Sequence, residues 1–551
     1  MSGRSLGHRA PVLWIVIPLM LGLCAGKCVE AVWIPGCLAM ASVLAIGAVV
    51  LGFRNSRGFE AILCLTLFFA GAASYAHHRA RLTIWDSLPP REATLRLRID
   101  RIFAQNDLRK VTGLATIVRS ADPLADLIGQ RITFSLTMAR GTPAPIRSSV
   151  ISAIGLVVTL PRNPAPTTFD GYLANRGINF RLTRGRVLAE VSPASAYYRF
   201  CARQASHFTD IFGWGVVKKR PDLVGILRAM MLGQRNELTD EQITNFRQTG
   251  TMHVFSISGL HIVVIATGVH ALLSLLRAPR QLRYAIGLAA LWLYVDITGA
   301  APSAIRAFVM VAVIETALAF RLPRNPLSAL ATSALIILIF DPLQLFSASF
   351  QMSYGIVAAL LLLGLPLADA WQQQLALFQH LPPVSWGWRR RLIDAGWRGL
   401  LTASAIGTAA SLVSALTGIL YFNLLTPGAF FANLWLIPAS TAVIYMGTLS
   451  LLFGLVHFTP AAVLGNHAAL LVLDVIEWAV HVTVKIPSMW FGAQFRSEWI
   501  GPIALGVLLA MIIFGYARKW EGLHRGYWIP FAWVLAVLLF GVTYGLPAIR
   551  P

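Results

Sequence analysis

Apolar runs long enough to cross a bilayer recur along the chain, and nothing constrains its fold more. A spanning helix needs about twenty mostly apolar residues. Segments such as LWIVIPLMLGL, LSALATSALIILIF and IALGVLLAMIIFGY follow one another. Of the 551 residues, 56% are hydrophobic and only 13% charged, with mean hydropathy +0.65. That excludes an ordinary soluble domain. The expected fold is a polytopic α-helical membrane protein of about 11–13 spans. They fall near 11–26, 31–53, 61–77, 253–276, 284–300, 303–320, 326–345, 347–368, 401–421, 428–456, 462–485, 501–517 and 529–547. The first run lacks an A-x-A cleavage site, so we expect a retained span. The four segments expected are 1–86 (first spans), 87–195 (a polar domain), 196–250 (amphipathic linking helices) and 251–551 (the main bundle).

Basic residues orient such a chain. Arg4, Arg9, Arg54, Arg57, Arg277, Arg280, Arg283, Arg321, Arg324, Arg389, Arg390, Arg391, Arg398, Arg518 and Lys519 share one side under this span list. That side is then cytoplasmic, with the N-terminus on it. The 87–195 domain and the C-terminus fall outside. The five cysteines lie at 24, 28, 37, 64 and 201, so the 87–200 region holds no disulfide, and they are expected as apolar packers.

In the polar region ATLRLRID and RITFSLTM alternate with period two, and INFRLTRGRVLAEV suits strand–turn–strand. About five short strands with the small helix TFDGYLANRG fit an OB-like barrel. Between 87 and 200, 16 Lys or Arg stand against 7 Asp or Glu, a surplus of +9 within a chain total of +22. The positive-inside rule does not explain charge on a long translocated domain. Single-stranded nucleic acid, lipid headgroups or a merely solvated basic face each fit. Arg96, Arg98, Arg101, Arg181, Arg184 and Arg186 are the candidate contacts. Residues 196–235 are partly amphipathic and can lie along a membrane surface. Thr239 and Gln242 form a capping box for a helix ending near Gly250.

Residues 250–261, GTMHVFSISGLH, place polar groups at the mouth of an apolar run, where they are costly. A metal site fits poorly. On a continuous helix His253 and His261 would differ by ~80° and ~12 Å. Ser258 and His261, at i and i+3, share a face as a nucleophile and base would. G-x-S-x-G is absent, however, and no acid orients the histidine. Close helix packing and the lining of a passage remain. Other intramembrane polar residues favour a passage: Asp296, Ser303, Arg306, Gln351, Ser353 and Asn433, together with His253, Ser256, Ser258, Gly259 and His261. There is no G-x-x-x-x-G-K-[ST] and no H-E-x-x-H. No motor, metal, cofactor or enzyme activity is expected.

GTMHVFSISGLHIVVIA resembles the signature of the ComEC competence proteins, T-G-x-x-H followed by I-S-G-L-H. LRAMMLGQRNELTDEQITNFRQTG, GAAPSAIRAFVM, DPLQLFSASFQMSYGIVAALL, NPAPTTFDGYLANRGI and FFANLWLIPAS are similar to further family segments. The resemblance covers residues 60–460. It implies a channel, without its own motor, for single-stranded transforming DNA across the bacterial inner membrane during natural competence. It implies as partners an outer DNA receptor, a cytosolic DNA translocase and a separate nuclease, besides the lipid bilayer. The chain resembles the form without a C-terminal metallo-β-lactamase-like domain. The rival reading is a transporter for a smaller anionic solute.

Overall fold

The computed structural model describes residues 11–52, 56–82, 88–103, 110–120, 122–139, 144–161, 164–165, 167–322, 325–378, 386–520 and 526–545. Arg4, Arg9, Arg54 and Arg324, used above for orientation, lie outside the described residues.

Three helices lead: α1 (Leu13–Ala25), α2 (Ile34–Gly52) and α3 (Ser56–Leu82). Gly22 and Gly26 let α1 press against α3. A Cβ at Gly22 would stand 2.0 Å from the Phe68 carbonyl oxygen. Small residues permit such close approach where lipid offers no hydrophobic drive.

A five-stranded closed barrel follows, with strand order β1-β2-β3-β5-β4. Its strands are β1 (Arg91–Ile102), β2 (Lys110–Ser120), β3 (Arg131–Thr137), β4 (Val150–Thr159) and β5 (Phe180–Ser192). Helix α4 (Phe169–Ala174) joins β4 to β5. The β3–β5 pair is parallel and the other pairs are antiparallel. Leu95, Leu97 and Ile99 point inward with Phe134 and Phe180, as the period-two pattern requires. One expectation fails. Residues 180–192 form a single strand, not strand–turn–strand. Arg184, at φ 49°, and Gly185 are absorbed as a bulge, with register shifts against both neighbours.

The chain then enters the bundle through α5 (Ala196–Gly213), α6 (Pro221–Leu232) and α7 (Asp240–Gln248). These helices do not simply lie on a surface. Nine of the twelve residues of α6 are buried, inside the largest apolar core. Met231 Sδ would stand 3.0 Å from a Cβ at Gly447, deep in another helix. The capping box at Thr239 and Gln242 is present.

The bundle continues with α8 (Gly259–Leu275), α9 (Arg280–Ile297), α10 (Pro302–Ala319), α11 (Pro326–Phe340), α12 (Ala348–Ala359), α13 (Leu365–Gln374), α14 (Trp388–Phe422), α15 (Ala429–Leu455), α16 (Thr459–Lys485), α17 (Ile500–Ala517) and α18 (Trp528–Phe540). Among the described residues seven helices are long and apolar enough to cross a membrane, and five apolar helices are shorter. The protein is a polytopic helical membrane protein with a small β-barrel. Several boundaries differ from expectation, and three bear on the site or its frame. Residues 253–258 are a 3₁₀ turn and loop, not helix, because their polar side chains cap α8. Helix α14 starts at 388, so its 35 residues span ~52 Å and its basic first turns stay helical. Helix α18 stops at Phe540, and Val542–Tyr544 pairs as strand β8 with β7 (Phe491–Phe495), which also pairs with β6 (Leu424–Leu425).

Pro366 has no N–H to give the Leu362 carbonyl one turn earlier, and the chain there widens into a π turn, Leu360–Gly364. The Trp520 indole N–H donates to that carbonyl at 3.1 Å.

In α9, Asp296 meets the barrel at one end, and Arg280 and Arg283 lie ~24 Å away at the other. Arg277, Arg321, Arg389–Arg391, Arg518 and Lys519 also lie at helix ends remote from the barrel.

Candidate nucleic-acid interface

On the barrel wall, β2, β3 and β5 form a cleft of 470 Å³ between the end of β1 and helix α4. In OB-folds this face, between the first and last loops, takes oligonucleotides. Lys110, Arg181 and Arg184 supply its charge, and Phe103 and Phe169 its apolar wall. Phe169 is 52% exposed, so its ring is free to stack on a ligand in the cleft. It stacks on Tyr172 at 5.8 Å and meets the Phe103 edge at 6.1 Å. Asp170 pairs with Arg181. Of the expected barrel arginines, Arg181 and Arg184 share this cleft. Arg96, Arg98 and Arg186 are exposed on other parts of the wall, and Arg98 stands 3.7 Å from Asp100.

The cleft leads toward the bundle through two guanidinium–ring contacts. Arg101 lies 5.7 Å from the Phe103 ring centre, and Arg176 4.9 Å from that of Tyr172. Burial lowers the Arg101 pKa from its ordinary value; Arg176, Arg235 and Arg147 push the same way. Arg235 is accessible to solvent between α6 and α7. Its Nε donates to the Phe255 carbonyl at 3.2 Å.

Phe255 belongs to the GTMHVFSISGLH stretch. Gly250 turns the chain at φ +70°, where an added Cβ would stand 2.7 Å from Thr426 Oγ1. The Thr249 and Thr251 hydroxyls bond each other and the Phe246 carbonyl. His253 is accessible to solvent. His261 is buried. Its Nδ1 accepts the Ser258 backbone N–H at 3.2 Å and lies 3.0 Å from Ser258 Oγ. The Ser–His pair is therefore within reach, but its geometry is that of a cap at the start of α8. Gly259 opens that helix. Ser256 and Ser303 share a 2.8 Å bond, tying this loop to α10.

Arg306, 3% exposed, gives Nη2 to the carbonyl and hydroxyl oxygens of Ser349, each at 2.7 Å. Its Nε and Nη1 have no partner among the described residues. Arg176 lies within electrostatic reach of it. Asp296 accepts from Arg147 and from the Tyr197 hydroxyl, each at 2.8 Å, so this carboxylate clasps barrel, α5 and α9 together. Gln351 bonds the Leu345 carbonyl and the Tyr421 hydroxyl. Ser353 is half-buried on α12. Asn433, on α15, has no partner for Oδ1 among the described residues.

Sequence reading missed Phe103, Lys110, Arg147, Phe169, Tyr172, Arg176 and Arg235. The segments TFDGYLANRG and LGQR carried four of them, but helix and loop residues show no alternation to mark a face.

A polytopic helical bundle with a small basic barrel set over one end of its helices defines the class. The chain belongs to the competence protein family, whose model, described as "Competence protein", matches residues 230–520. It is 34% identical over 142 residues to ComE operon protein 3 of Bacillus subtilis, covering 26% of this chain and 18% of that protein. It is 32% identical over 151 residues to Competence protein ComA of Neisseria gonorrhoeae, covering 25% and 21%. The matched stretches thus span about a fifth of these curated relatives. No solved structure matches.

Proposed function

We propose that this protein passes single-stranded DNA across the bacterial inner membrane during natural transformation, as a channel, not an enzyme, with no motor of its own. The observation that carries this is the cleft where Lys110, Arg181 and Arg184 surround Phe103 and Phe169. Charge to track a phosphate backbone beside aromatics that stack bases is what single-strand binding needs. Membership of the competence family supports it, as does the similarity to Competence protein ComA. The strand then runs past the arginines below the cleft to His253 and the start of α10. The basic helix ends remote from the barrel support a cytoplasmic face there, with the barrel outside. An outer receptor, a cytosolic translocase and a separate nuclease complete the system.

Compartment-resolved uptake tests this. A deletion strain is complemented with wild type or with the double variant Lys110→Gln/Arg184→Gln, and DNase-resistant label is counted in periplasm and cytoplasm. Wild type should restore cytoplasmic label, and the variant should leave it in the periplasm at normal protein level. Normal cytoplasmic entry in the deletion strain would remove the DNA reading and favour a smaller anionic solute.

A further inference from the structure

Where the barrel meets the bundle, guanidinium groups from four separate parts of the chain lie in series: Arg176, after α4, is within electrostatic reach of Arg101 from β1 and of Arg306 in the first turns of α10, and Arg235, before α7, is within reach of Arg101. Among the described residues none of the four has a carboxylate partner. The nearby acids are engaged elsewhere: Asp170 with Arg181, Glu237 with Arg228, and Asp296 with Arg147. Two of the four also keep buried N–H groups without partners among the described residues, Nε and Nη2 in Arg176 and Nε and Nη1 in Arg306. A buried donor on a charged group is expensive to leave unbonded, and like charges held together add to that cost. Both costs vanish if an oxyanion sits among the guanidiniums, which match its geometry two bonds at a time.

We infer that Arg101, Arg176, Arg235 and Arg306 form a phosphate-binding junction that holds the phosphodiester backbone of the strand as it leaves the barrel for the bundle. The inference rests on the nucleic-acid reading for its ligand. The arginines themselves demand only a phosphate, which a lipid headgroup also carries. The arrangement favours the strand, because Arg101 and Arg176 each lie against a ring of the aromatic set that includes Phe169. A ligand whose bases stack on Phe169 would bring its next phosphates to these two side chains.

The full chain is purified in dodecyl maltoside, and binding of a fluorescein-labelled oligo-dT is followed by anisotropy from low to moderate salt. Inorganic pyrophosphate is the competitor, and phosphatidylglycerol vesicles are a separate probe. Arg176→Gln and Arg306→Gln should each weaken oligonucleotide binding about tenfold. Each should flatten the slope of log affinity against log salt by about 0.7, one single-strand phosphate contact. Pyrophosphate should compete with wild type and lose potency against both variants. Arg306 is buried and its loss can unfold α10, so the half-buried Arg176 and the charge-keeping Arg306→Lys decide the matter, with thermal melts alongside. Wild-type affinity and salt slope in Arg176→Gln, with oligonucleotide binding intact, would overturn the junction and leave the DNA reading standing. Arginine-dependent binding of pyrophosphate or phosphatidylglycerol without oligonucleotide binding would keep the phosphate site and remove the strand as its ligand. Binding of none of the three probes would end the inference.

Discussion

Asp296→Asn should loosen the barrel from the bundle. The carboxylate is 3% exposed and accepts from Arg147 and Tyr197, while the Arg147 side chain is 33% exposed. Asparagine keeps the shape, and its Oδ1 still accepts from the Tyr197 hydroxyl. The substitution therefore isolates the charged half of the clasp. A fully buried pair broken on one side costs about 3–5 kcal/mol, and an exposed pair about 0–1 kcal/mol. Arg147 is partly hydrated, so its orphaned charge recovers water, and a value near 2 kcal/mol is expected. That raises the population of the detached state roughly thirtyfold. Hydrogen exchange of peptides covering 144–149 and 196–201 reports it directly. A double-mutant cycle with Arg147→Gln should give a coupling of about 1–2 kcal/mol. Coupling under about 0.3 kcal/mol, or unchanged exchange in both peptides, would show that the clasp does not hold the barrel and would refute the reasoning.

Trp520→Phe removes the indole donor to the Leu362 carbonyl and should cost about 1–3 kcal/mol, seen as a lower melting temperature in detergent; an unchanged melt would show that the π turn satisfies itself. Gly250→Ala meets both a positive φ and Thr426, and should cost about 1–3 kcal/mol, with faster proteolysis inside 249–258. Phe134→Ala empties the barrel core at a site 1% exposed and should cost about 3–5 kcal/mol. Exchange in β1–β5 should rise while the helices stay protected, and oligonucleotide binding should fall with the barrel.

The helices were readable because their apolar runs are self-sufficient signals. Residues 284–300, 303–320, 428–456 and 501–517 were expected as spans, and α9, α10, α15 and α17 lie there within a few residues at either end. The first turns of α14 were not readable, since Arg389–Arg398 looks like a loop by charge alone. The burial of α6 was not either, because an amphipathic stretch does not say whether lipid or protein meets its apolar side. Residues 253–258 escaped for another reason. Their side chains satisfy a helix terminus, which depends on where the backbone breaks.

Local pattern alone therefore determined the membrane class, the barrel's alternating strands, the capped helix at Thr239 and the polar weight of GTMHVFSISGLH. Each is set by neighbours within a few residues, where periodicity and capping act. Only the tertiary structure decided what assembles into a site. Lys110, Phe169 and Arg184 meet because the barrel closes in the order β1-β2-β3-β5-β4, and Arg176 comes within electrostatic reach of Arg306 because the barrel docks on α9 through Arg147. Contacts between residues far apart in the chain leave no mark in the text between them, since the chain pays their closure through packing elsewhere.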